Sequence, residues 1–464
     1  MAKSIFRKLL TAVSLLFFLA SCENNGFSES QGEGKNLSDK EIYDRIPVVL
    51  NTAYYKDVFL DGGCCLNPGV KVDGNIVNGQ MPYVLEKLGL SYEFFISSED
   101  DAFASPLADE VQKMNDILSG SKSDPNGVLL YPDGEPRFRA VFIFGGFSTG
   151  HAKQLTDTAR NNVKTFFRNG GSYVGSCAGA YLAGLHSDGE ERPYFNIWQG
   201  GNMICTELNS SSTSMIFPSD SPLLRYSDFG NDGMIENVRH NGGGYMDEDS
   251  APEGTEILAR FGTCPGGSTS ALYYDKVSTW AYKESDESGR LVVCGSHPED
   301  APSGEVLDFT NSMFSYAIDG SGCAKVKDIL HDGECKSTNL IGDMQCHHFV
   351  FYLPEEASVK IELDGEPEAR LQLFLKKDTF AFPENKPEYS SSMPDSMQQI
   401  ITTNILESGL WFVTVRCNAR IKSDPVVLNK SLDKGKYFEY SGYDKVLSGV
   451  PYSLKFNIVK GKSK

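Results

Sequence analysis

The feature that most constrains this 464-residue chain is the run Gly170-Gly171-Ser172-Tyr173-Val174-Gly175-Ser176-Cys177-Ala178-Gly179. A short apolar strand there passes through Cys177 into Ala180-Tyr181-Leu182-Ala183, which suits a helix. A strand that turns so sharply into a helix strains the residue at the corner and needs small neighbours. Gly175 and Gly179 supply them. The free N–H groups and positive dipole end of such a helix favour a thiolate at Cys177. The Ala178 N–H is placed to receive an oxyanion. The turn at Gly145-Gly146, which ends a neighbouring apolar run, offers a second donor at Gly146.

The surrounding pattern alternates strand and helix. Apolar runs predict strands over 46–50, 92–96, 140–144 and 172–174, with helices over 80–88 and 151–168, the second stopping at Gly170-Gly171. Strands this apolar, interleaved with helices, imply an α/β fold with a mainly parallel sheet. Further strands are expected over 256–261, 271–274, 279–283 and 290–294, and a helix over 308–317. Beyond about residue 341 the texture changes to short period-2 segments separated by Gly, Pro, Asn and Ser, as in a smaller all-β sandwich. The boundary falls between Gly320 and Gly342, giving an α/β domain over 46–325 and a sandwich over 342–464.

A cysteine nucleophile needs a base, and the base needs a group that orients it. Only seven histidines occur, and His297 follows an apolar strand in Gly295-Ser296-His297-Pro298-Glu299. The C-terminal ends of sheet strands are where α/β folds gather ligands. Glu299 can accept from the imidazole, which makes Cys177, His297 and Glu299 the candidate triad. His240 beside Asn241 reads mainly as part of a glycine turn. His347 and His348, adjacent on a strand, point to opposite faces and make a poor metal pair. The eleven cysteines contain no CxxC pair, so no metal or cofactor is called for.

G-x-C-x-G after a strand, with H-x-E after a later one, resembles the class I glutamine amidotransferase-like superfamily. Together with Gly145-Gly146 and Asn241-Gly242-Gly243-Gly244, the run more narrowly resembles the biotin–protein ligase N-terminal-type domain. The resemblance implies a flavodoxin-like sheet with a nucleophile elbow and a Cys-His-Glu triad, with Gly145, Gly146, Ala178 and Asn241 around the substrate. No biotin ligase catalytic domain and no GxxxxGK[ST] loop accompany it. The segments Leu371-Gln372-Leu373-Phe374-Leu375-Lys376-Lys377 and Gly409-Leu410-Trp411-Phe412-Val413 resemble the bacterial pre-peptidase C-terminal domain.

The first 21 residues read as a processing signal. Lys3, Arg7 and Lys8 precede an apolar run from Leu9 to Leu19 that is shorter than the ~20 residues a spanning helix needs. Leu19-Ala20-Ser21-Cys22 resembles the lipobox of bacterial lipoproteins, which implies lipidation of Cys22, a membrane partner and a place in the bacterial cell envelope. Residues 22–45 read as a flexible tether. A net charge of −19 without a basic block disfavours nucleic acid. Among the remaining cysteines, Cys323 and Cys335 are the expected local disulfide. Two function classes fit. One is an exported, lipid-anchored cysteine-dependent amidohydrolase acting on an amide or peptide bond. The other is a non-catalytic surface-binding lipoprotein that keeps the amidotransferase-like scaffold.

Overall fold

The computed structural model describes residues 36–61, 70–72, 75–77, 81–95, 118–120, 125–146, 148–149, 152, 155–186, 194–262, 270–301, 303–427 and 436–459. The signal, Cys22, most of the tether, His151, Cys64, Cys65 and Cys264 lie outside them.

A nine-stranded sheet organises the first part of the chain. Its strands are β1 (Lys56–Asp61), β2 (Tyr92–Phe95), β3 (Phe138–Ile143), β4 (Ser172–Ser176), β5 (Ser211–Ile216), β6 (Met234–His240), β7 (Thr255–Phe261), β8 (Val277–Tyr282) and β9 (Leu291–Cys294). They lie in the order β6-β5-β7-β8-β9-β4-β3-β1-β2. The five strands β2, β1, β3, β4 and β9 are parallel, in the flavodoxin order, and β8, β7, β5 and β6 extend them antiparallel. Every residue of β4 and β9 is buried, as expected of strands covered on both faces.

Helices α2 (Met81–Leu88), α3 (Asp157–Arg168), α4 (Ala178–Ala183) and α5 (Glu305–Asp319) provide that cover. On one face α3 sets Val163, Phe166 and Phe167 against Val141 and Ile143 of β3. On the other, α5 sets Phe309, Met313, Phe314 and Ala317 against Phe142, Val174 and Val292. Burying each such side chain stabilises the fold by about 1.5–3 kcal/mol. Thr156 caps α3 by accepting from the Ala159 N–H at 3.1 Å.

The sandwich comprises β10 (Val326–Ile329), β11 (Cys335–Ile341), β12 (Cys346–Leu353), β13 (Ser358–Gly365), β14 (Leu371–Lys377), β15 (Tyr389–Ser391), β16 (Gln398–Thr402), β17 (Gly409–Cys417) and β18 (Val450–Val459). One sheet runs β10-β12-β17-β14-β15 and the other β11-β18-β13-β16. The inner faces meet in an aliphatic core that includes Ile361, Leu363, Leu373, Val413 and Leu454.

Five local expectations are corrected. Residues 46–50 form no strand, apart from a single bridge between Leu50 and Cys323, because they run as a connector half-packed on the sandwich. Residues Ser270–Tyr273 are a short helix, with Tyr273 buried and Leu272 exposed, so the apolar run there is not a sheet strand. The tether does not run on to residue 45: Asp39–Tyr43 is a helix, α1, with a capping box between Ser38 and Glu41, and Ile42 packs on the sandwich. Cys323 and Cys335 are free thiols. The sandwich also begins earlier than residue 342, since β11 is a largely exposed edge strand with little apolar pattern to read.

The two parts join through charge as well as apolar surface. Arg137 and Asp343, both buried, form a forked pair with contacts of 3.1 and 2.8 Å, and the guanidinium lies 4.2 Å from the centre of the Tyr55 ring. Nearby, Asp133 accepts from Gln345 Nε2 at 2.8 Å, lies 3.1 Å from His347 Nε2 and pairs with Lys327. Burial works against the Asp133 charge, but the His347 bond and Lys327 overcome it and hold the carboxyl well below its usual range.

Candidate active site

Cys177 stands at the corner between β4 and α4 with φ 44° and ψ −105°, a backbone conformation that a residue with a side chain rarely adopts. The turn is possible because strand and helix touch at glycines. A Cβ on Gly179 would lie 2.1 Å from the Ile143 carbonyl oxygen, and one on Gly175 would lie 2.8 Å from the Gly179 carbonyl carbon. The Gly179 N–H donates to Phe144 O at 3.1 Å and ties α4 to the end of β3. Ala178 opens α4, so its N–H lies outside the helical ladder and is available to a ligand.

His297 follows β9, which is hydrogen-bonded to β4 with Cys294 opposite Ser176. The parallel pairing therefore sets His297 beside Cys177. A Cβ on Gly145 would lie 2.2 Å from His297 Cε1 and 3.1 Å from Cys177 Cβ, so the two side chains flank one point at the end of β3. Gly145 is required there as the space the imidazole occupies. Its neighbour Gly146, exposed and at φ 137°, completes the turn.

His297 Nδ1 lies 3.1 Å from Glu299 Oε1, and that oxygen also accepts from Ser176 Oγ at 2.7 Å. Thr310 of α5 donates to Pro298 O at 2.9 Å and holds the turn between them. His297 Nε2 is buried and has no hydrogen-bond partner among the described residues. The Cys177 thiol donates instead to the Asn241 carbonyl at 3.6 Å. Burial alone would lower the basicity of His297. Its interactions with the Cys177 side chain and with Glu299 outweigh that, and hold it well above its ordinary value. His297 is thus favoured as a proton acceptor, oriented by a carboxylate, with one nitrogen left for the thiol.

Of the residues expected here, Cys177, His297, Glu299, Gly145, Gly146 and Ala178 converge on one spot. Asn241 joins them differently from the expectation: its side chain is spent on the Ser210 N–H at 2.9 Å, and its main-chain carbonyl faces the thiol. His240, read as part of a turn, is fully buried and bonded to Thr206 and Ser296. Ser176 and Ser296 were also missed. Their signal was a hydroxyl next to Cys177 and next to His297, one at the end of an apolar strand and one just beyond another. His347 and His348 face opposite ways, towards Tyr452 and Thr414. Among the described residues no cluster of metal-binding side chains occurs.

The parallel half-sheet in flavodoxin order, its elbow at Cys177 and the Cys177-His297-Glu299 group define an α/β domain with a cysteine at the strand-to-helix corner. Residues 133–190, which hold Gly145, Gly146, Cys177 and Ala178, match the family model of the N-terminal domain of biotin–protein ligase. A glutamine amidotransferase structure is similar at 13% identity, over 55% of this chain and 98% of its own, with a TM-score of 0.32. A protein assigned as a GMP synthase subunit from Thermoplasma acidophilum is similar at 12% identity, over 57% and 95%, with a TM-score of 0.31. The pre-peptidase C-terminal domain of a collagenase from Bacillus anthracis is similar at 10% identity, over 29% and 98%, with a TM-score of 0.19. No curated protein matches the chain.

Proposed function

We propose that this chain is a cysteine-dependent amidohydrolase, exported and held to a membrane by lipid on Cys22. The observation that carries the reading is a cysteine at a strained corner, beside a buried, Glu-oriented histidine whose second nitrogen has no partner among the described residues. Transfer of the thiol proton to a neutral His297 gives a thiolate–imidazolium pair. The thiolate adds to an amide carbonyl, and the oxyanion forms against the N–H groups of Ala178 and Gly146. His297 passes its proton to the leaving amine as the carbon–nitrogen bond breaks. Water, with His297 again as base, then cleaves the thioester and regenerates Cys177.

The test uses a panel of chromogenic amides and, in parallel, the alkylation rate of Cys177 followed on its own peptide by mass spectrometry. Cys177→Ser should abolish hydrolysis of any amide turned over. His297→Ala should slow alkylation at neutral pH by at least about tenfold, below the hundredfold or more that a positioned base contributes to a full reaction. A Cys177 no more reactive than Cys335, and indifferent to His297, would instead favour the binding lipoprotein and turn attention to ligands of the sandwich. The anchor is tested separately: Cys22→Ser should move the chain from the membrane fraction to the soluble one.

A further inference from the structure

His240, the last residue of β6, is fully buried, yet both its ring nitrogens meet hydroxyls. Nε2 lies 2.6 Å from Thr206 Oγ1 and Nδ1 lies 2.8 Å from Ser296 Oγ. Thr206 spends its one hydroxyl proton on Gly243 O, at 2.8 Å. It can therefore only accept from the ring, so Nε2 carries the hydrogen and Nδ1 accepts from Ser296. The bonds run in one direction, from Ser296 O–H to His240, from His240 N–H to Thr206, and from Thr206 O–H to the Gly243 carbonyl. This order needs a neutral ring. Burial, and next the charge of His297, bring His240 down to about 4, which keeps it neutral.

Both ends of the chain of bonds reach the reacting groups. Ser296 precedes His297 in sequence, and the His297 N–H donates to Arg239 O at 2.8 Å. Gly243 is two residues beyond Asn241, whose carbonyl holds the Cys177 proton. Between these ends the two segments touch backbone to backbone: a Cβ on Gly243 would lie 1.7 Å from Gly295 O. Phe261 packs edge-on to the His240 ring at 5.5 Å, and Thr213 Oγ1 lies 3.5 Å from Ser296 Oγ. The charged groups nearby are His297 and the adjoining Arg239, which pairs with Asp300.

We infer that His240 is a positioning residue. It fixes the His297 turn against the Asn241 turn, so that the thiol proton lies between the carbonyl it now bonds and the nitrogen it must reach. The inference rests on the nucleophile reading above. It is tested on the full chain by the alkylation rate of Cys177 across about pH 5 to 9, the range in which His and Cys titrate. Thermal melting is recorded alongside.

His240→Phe keeps a ring against Phe261 but breaks both bonds. It should slow alkylation about tenfold, as one misplaced bond in a reacting pair does, and change the shape of the pH profile. His240→Asn, whose Oδ1 can accept from Ser296, should recover most of the rate. Thr206→Val, with the ring retained, should shift the profile in the same sense and serves where His240→Phe folds poorly. A wild-type rate and profile in His240→Phe and Thr206→Val would overturn the inference. So would losses in Phe and Asn variants alike that follow melting temperature alone. His297→Ala separates the two readings: if it leaves Cys177 unchanged, the dyad itself fails and this role with it. If it slows Cys177 while both His240→Phe and Thr206→Val do not, only the role of His240 fails.

Discussion

Cys177 holds a backbone conformation that costs about 1–3 kcal/mol, and the surrounding glycines and the α4 ladder hold it there. Cys177→Gly should therefore raise the melting temperature while removing the thiol, which differential scanning calorimetry would register. Gly145→Ala should do the reverse of a neutral surface change, because its methyl group would occupy the place of the His297 ring. Slower alkylation of Cys177 is the expected result. The charge on His297 has a stability consequence whose sign is fixed. Its folded-state value is raised above the ordinary 6.5, so its contribution is complete below that pH and is lost as pH rises through the folded value. Relative to His297→Gln, the wild-type chain should lose stability as the medium becomes alkaline, measured by denaturant midpoint against pH. That Cys177, His297 and Glu299 come together was readable because each sits in a short motif next to a strand. The roles of His240 and the Asn241 carbonyl were not, since each depends on a contact across many residues of chain.

At the level of elements, β4 and α4 are fused by glycines that leave no slack. Gly179→Ala would press a methyl group against the Ile143 carbonyl, and a backbone oxygen in a central strand has nowhere to go. It should unfold the domain or cost several times more than Thr156→Ala, which removes only the α3 cap and should cost ~1 kcal/mol with no change at Cys177. Paired thermal melts decide this. The parallel strands were legible because burial on both faces writes them as continuous apolar runs, as in β9. Tyr273 shows where that reading ends. So short an apolar run fits a helical turn as well as a strand, and only its neighbours choose. Likewise β11 escaped because an exposed edge strand carries hydroxyls, amides and lysine in place of apolar alternation.

Across the whole molecule, Arg137 and Asp343 join the α/β domain to the sandwich inside a buried contact. Removing one charge leaves the other stranded, so Asp343→Ala should cost about 3–5 kcal/mol, whereas the double replacement Arg137→Met with Asp343→Leu should recover most of it. Urea titrations of the wild type, Asp343→Ala and the double variant test the coupling. Asp133 adds an acid limb. With its carboxyl depressed in the fold, its contribution holds above the unfolded value of about 3.9 and is lost as pH falls below it, so Asp133→Asn should flatten the acid side of the stability curve. The capped helix α1 has its own consequence at this scale. Ile42 docks on the sandwich, so a chain moored at Cys22 would hang from its sandwich end. The leash from Cys22 to residue 36 spans at most roughly 50 Å when fully drawn out. Under the proposed anchoring at Cys22, the sandwich would be the part held towards the bilayer, with the domain that carries Cys177 beyond it.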